Sequence, residues 1–158
     1  MGRAAAAALG WPFVDLDEEI ERRSGMSVGA IFERHGEAHF RALEREATEG
    51  LIGAPAAVVA PGGGWITVPE TVALLRPAAC IIYLRATPAT ALQRLGASYR
   101  ARPLLQGEPL GPAAAIEGLY AQRRGAYEAA DRMLDTELLT EQGVIDKVVQ
   151  LALGTCVA

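Results

Sequence analysis

The sequence is short of lysine, cysteine and aromatic residues, and each shortage narrows what the chain can be. Fourteen of the fifteen basic residues are arginine, and the only lysine is Lys147. Acidic residues outnumber them, and a net charge of −4 leaves no basic face for a nucleic-acid backbone, so no nucleic-acid partner is expected. Cys80 and Cys156 stand far apart and match neither metal nor redox spacing, which points to a reducing cytoplasm. No apolar run approaches the roughly 20 residues of a membrane span. The opening MGRAAAAALG is too short for a signal peptide and breaks at Trp11-Pro12, so it reads as part of a helix. What is present, 51% apolar and 22% charged residues over 158 positions, suits one globular domain, 1–158, with a real core.

Strand-like and helix-like patterns alternate along the chain. Residues 3–9 read as a helix stopped at Gly10, and Phe13-Val14 as a short strand ending at Asp15. Asp17 to Arg23 begins a helix that Gly25 stops, and Ser27 caps the next. After Gly36 a longer helix carries Phe40, Leu43, Ala47 and Leu51 as its apolar stripe, which leaves Arg41 and Glu44 off the buried line. Residues 57–60 and 80–84 read as buried parallel strands. Thr67-Val68-Pro69-Glu70 has the form of a capping box for a helix from about Val68 to Arg76. Thr87-Pro88 opens a helix ending near Gly96, and 97–112 form a loop with the composition of a mobile lid. A helix over 113–130, a strand at 133–134 and a helix over 140–153 close the chain. Such alternation implies an α/β fold with helices on both faces of a parallel sheet.

Four groups of residues carry candidate chemistry. Asp15 and Asp17 lie at a strand end, where open α/β sheets place their sites. Asp17 also suits a plain helix N-cap, and Glu37, Arg41 and Glu44 a solvated ladder at helical spacing. Gly62-Gly63-Gly64 follows a buried strand, where the backbone can approach a ligand closely or simply turn. Arg100 and Arg102 sit in the lid loop, from which guanidinium charge can reach transferring phosphate oxygens. Arg123 and Arg124 stand near Tyr127 on the following helix. His35 and His39 are four apart but lack the H-E-x-x-H zinc pattern, and they read as solvated.

Taken in order, these fragments resemble the shikimate kinases. The resemblance rests on F-V-D-x-D at 13–17, I-F-x-x-x-G-E-x-x-F-R-x-x-E at 31–44, G-G-G at 62–64, R-P-L-L at 102–105, and R-x-x-x-Y followed by A-D at 123–131. It covers Gly2 to Leu153. It implies a three-layer α/β/α phosphate-loop kinase fold, strand order 2-3-1-4-5, and phosphorylation of the 3-hydroxyl of shikimate with ATP and Mg²⁺. It also implies a cytoplasmic monomer in the chorismate pathway of aromatic amino-acid biosynthesis, with no membrane partner. By position, Asp15 would help hold Mg²⁺ through water, and Asp17 would orient or deprotonate the attacking hydroxyl. Arg41 and Arg123 would clamp the substrate carboxylate beside Gly62, Gly63 and Gly64. Arg102 would be the lid arginine on the transferred phosphate, and Arg94 would face the adenine.

One family signature is missing. The phosphate loop G-x-x-x-x-G-K-[ST] occurs nowhere, and Lys147 lies in a C-terminal helix far from any glycine loop. Met1-Gly2-Arg3 through Leu9-Gly10 fall in register on the helix that follows that loop in the family. The expectation is therefore a chain begun late, with the first, central strand absent and the cradle for ATP missing. A shikimate-kinase-like sensor domain or pseudoenzyme, binding the acid without catalysis, is the alternative. Pro61 and Trp65 on either side of the glycines are smaller departures.

Overall fold

The computed structural model describes residues 1–105 and 109–155. Residues 106–108 of the lid loop, and Cys156, lie outside the described residues. Seven α-helices and four strands alternate among those described: α1 Gly2–Leu9, β1 Phe13–Asp15, α2 Leu16–Ser24, α3 Val28–Glu49, β2 Val58–Ala60, α4 Pro69–Leu75, β3 Ile82–Arg85, α5 Pro88–Leu95, α6 Pro112–Glu128, β4 Arg132–Asp135 and α7 Glu141–Thr155.

The helix ends follow local chemistry. Gly10 and Gly25 take left-handed conformations that stop α1 and α2. Ser27 and Thr87 accept backbone N–H groups at the starts of α3 and α5. The Thr67 capping box does not form. Residues 65–67 make a 3₁₀ turn that sends the Thr67 hydroxyl back to the Gly64 carbonyl at 2.7 Å, and Val68 becomes an N-cap without a side-chain bond.

α3 is two helical pieces joined at Gly36, whose φ of 79° and ψ of 173° lie outside the helical region. The break lets Phe32 and Phe40 meet with ring centroids 4.8 Å apart. Beyond it, Phe40, Glu44, Ala47 and Thr48 share the buried face, each within one turn of the next. Leu43 and Leu51 pack against the same core, but Glu44 is 2% exposed rather than solvated, so the buried face extends to it.

All strand pairing is parallel. β1 pairs with β2 (Phe13 opposite Val58) and β3 with β4 (Ile82 opposite Arg132), as two separate two-stranded sheets rather than one. β2 and β3 each have a single strand neighbour among the described residues. Their side chains are partly exposed where a continuous sheet would bury them. The main core joins Leu16, Ile20, Ile31, Phe40, Ala47, Trp65 and Val72. A second cluster, Leu105, Ala115 and Ile116, packs with Leu92, Leu95 and Tyr99 and joins the chain around Tyr99 and Leu105 to α5 and α6. No helix of the described residues is long and apolar enough to cross a membrane.

Candidate active site

Asp15, not Asp17, caps α2. Its Oδ1 accepts the N–H groups of Asp17 and Glu18 at 3.1 and 3.4 Å. The cap fixes the first turn and frees the Asp17 side chain, which lies against Gly62: a Cβ placed there would sit 3.5 Å from Asp17 Oδ1. Gly62 has φ of 72°, so its backbone favours glycine, while a Cβ there would meet Asp17 only at ordinary contact distance.

The next two glycines meet two arginines. A Cβ at Gly64 would fall 2.7 Å from Arg41 Nη1 and 2.8 Å from its Cζ, inside contact distance. A Cβ at Gly63 would lie 3.4 Å from the Tyr127 hydroxyl and 3.9 Å from Arg123 Nη1. Tyr127 donates its hydroxyl to the Gly63 carbonyl at 2.8 Å, and its ring stacks on Tyr83 at 5.2 Å. One three-residue loop thus gathers Asp17 from α2, Arg41 from α3, and Arg123 and Tyr127 from α6.

Charge is balanced inside this cluster. Arg41 donates to Glu44 Oε2 at 2.8 Å and to Glu37 Oε1 at 2.9 Å, leaving its guanidinium aimed and mostly buried. Burial raises the pKa of Glu44, a shift opposed by Arg41 and Arg123 and reinforced by Asp17. Burial likewise raises Asp17, with the Asp15 charge adding and Arg102 and Arg41 opposing. Arg102, exposed at the end of the 3₁₀ turn 96–101, therefore acts on Asp17 through its field. Trp65, next to Gly64, donates Nε1 to Thr48 Oγ1 at 3.0 Å, and Thr48 in turn donates to the Glu44 carbonyl at 2.7 Å. The loop is tied to α3 through that chain.

Arg94 has other partners. It donates to Oγ1 and the carbonyl of the buried Thr136, at 2.7 and 2.9 Å, binding α5 to the end of β4. The sequence pattern points to a solvated Glu44 and gives Tyr127 no role of its own. The helical spacing of Glu44 from Phe40 was the available signal, and Tyr127 carried none beyond its place one turn after Arg123. The arrangement sets two arginines and a carboxylate of raised pKa around one glycine loop, which suits binding and activating a hydroxy acid.

The shikimate kinase family model matches residues 1–152. Shikimate kinase of Synechococcus sp. (strain CC9605) is 40% identical over 150 residues, 95% of this chain and 74% of the relative. That of Moorella thermoacetica is 42% identical over 138 residues, 87% of this chain and 77% of the relative. The solved shikimate kinase from Acinetobacter baumannii in complex with shikimate superposes with a TM-score of 0.87 at 35% identity, covering 96% of this chain and 84% of that one.

Proposed function

Because the chain belongs to the shikimate kinase family of phosphotransferases, we propose that the glycine-loop site binds shikimate for ATP-dependent phosphorylation of its 3-hydroxyl. The observation that carries this reading is the convergence of Asp17, Arg41 and Arg123 on Gly62–Gly64. Arg41 and Arg123 hold the substrate carboxylate with paired N–H donors. Asp17 accepts a hydrogen bond from the reacting hydroxyl and receives its proton as phosphoryl transfer proceeds, and burial makes it a stronger base than an ordinary aspartate. Glu44 keeps Arg41 aimed at the ligand. Arg102 brings positive charge over the transferred group when the lid segment is in place.

Asp15 suits a Mg²⁺ held through water, since one oxygen serves the helix cap and the other is left for a hydrated ion. Bound Mg²⁺ would supply charge neutralisation at the phosphates. The nucleotide half fits less well. The 158 residues contain no G-x-x-x-x-G-K-[ST] pattern, and Arg94 is already bound to Thr136. The residues present account for the acceptor half of the reaction, in a cytoplasmic setting where ATP is abundant. A second reading is a chain that binds the acid without turnover.

Calorimetric titration with shikimate, paired with an assay for shikimate-dependent ADP release, tests both. Saturable binding that Arg41→Ala and Arg123→Ala remove supports the acceptor site. ADP release then decides for catalysis and its absence for the binding module. No saturable binding by the folded chain would overturn both.

A further inference from the structure

The Gly36 break places side by side two imidazoles that the kinase site does not use. His35 and His39 are the chain's only histidines, and both are exposed. Their ring centroids lie 4.9 Å apart with planes inclined at 47°. Among the described residues neither ring has a hydrogen bond or ion pair, so their nitrogens are open to an external ligand. We propose that His35 and His39 form a bidentate surface site for a first-row divalent cation of the zinc, nickel or copper type.

The spacing supports this directly. An imidazole nitrogen about 2.1 Å from an ion puts the ring centre about 3.2 Å from it, and centres 4.9 Å apart then subtend about 100° at the ion. That angle falls between square-planar and tetrahedral ligation, so both rings reach one ion after small rotations of exposed side chains. Imidazole favours zinc, nickel and copper, whereas Mg²⁺ prefers oxygen ligands, so this site is chemically separate from the one at Asp15. No third side-chain ligand stands by among the described residues, and water completes the shell. The ion would bridge the non-helical joint at Gly36, linking the first piece of α3 to the piece whose Glu37 and Glu44 hold Arg41.

The test is titration of the 158-residue chain with NiCl₂ and ZnCl₂ by calorimetry, alongside MgCl₂, with His35→Ala, His39→Ala and the double variant. Because the chain has only these two histidines, imidazole resonances report the site without assignment. The expected result is one Ni²⁺ or Zn²⁺ per chain, both imidazoles shifted, no imidazole response to Mg²⁺, and affinity about 10²-fold weaker in either single variant as a chelate becomes a single ligand. Circular dichroism identical to the parent shows that the variants remain folded. Unchanged stoichiometry and affinity in the folded double variant, or unshifted imidazoles at saturating metal, would overturn the proposal.

Discussion

The Arg41 guanidinium occupies the space that a Cβ at Gly64 would need, leaving no room for a side chain there unless Arg41 moves. Gly64 itself has ordinary right-handed backbone angles, φ −94° and ψ −21°, so alanine would strain nothing but this contact. Gly64→Ala is expected to push Arg41 off its Glu44 partner while the fold persists. Losing a charge-assisted bond of about 1.5–3 kcal/mol would weaken shikimate binding by about one to two orders of magnitude. Unchanged affinity by calorimetry would separate Arg41 from the site.

Tyr127→Phe deletes one hydrogen bond, to the Gly63 carbonyl, and keeps the ring that stacks on Tyr83. Shikimate affinity should fall by a few-fold, in line with a bond of about 0.5–1.5 kcal/mol, with little change in Tm. A large loss of Tm would assign the hydroxyl to stability instead.

Thr48→Val removes the acceptor of the buried Trp65 indole N–H without changing volume much. An orphaned buried donor costs about 1–3 kcal/mol, so thermal unfolding should come several degrees earlier. Equal Tm values would mean that the indole finds another acceptor.

Asp17→Asn should stabilise the chain at neutral pH while removing its base. The folded pKa of Asp17 is raised by burial and the Asp15 charge, so the folded state binds protons more tightly than the unfolded one. Stability therefore falls as pH rises from the unfolded pKa, about 4, through the folded value, and stays lower above it. Tm measured against pH should show the variant ahead at pH 7 and level with the parent below about pH 4. A variant less stable at pH 7 would contradict that sign. Glu44 shifts in the same direction, and losing the Asp17 charge lessens its upward shift in the variant.

The divided sheet makes a residue-level prediction. Val58 donates toward β1, to the Pro12 carbonyl, and the carbonyls of Ile81 and Arg85 accept from Arg132 of β4 and from Thr136 just after it. By alternation along parallel strands, the amides of Val59, Ile82 and Leu84 point to the unpaired edges. Hydrogen exchange should be fast at those three and slower at Val58 and Tyr83, and the open edges should make the chain prone to associate. Strong protection at Val59 and Ile82 would show that another strand covers them.

Much of this architecture was legible locally. Gly10, Gly25, Ser27 and Thr87 each mark a helix end through chemistry within a few residues, and the helices stop and start there. Glu44 was misplaced because a charged residue beside a stripe of Phe40, Leu43 and Ala47 reads as solvated, and only tertiary packing widens the buried face to include it alongside Leu43. Thr67 was misread because its capping-box pattern competes with a turn toward Gly64. The meeting of Arg41 with Arg123, 82 positions further on, has no local signature. It entered only through the family resemblance, and tertiary packing brings both to the same loop.

The most direct measurement is a crystal structure of this chain with shikimate. The account predicts the carboxylate within hydrogen-bonding distance of both Arg41 and Arg123, and a ring hydroxyl on Asp17. Shikimate bound with its carboxylate away from both arginines, or outside the Gly62–Gly64 loop, would contradict it.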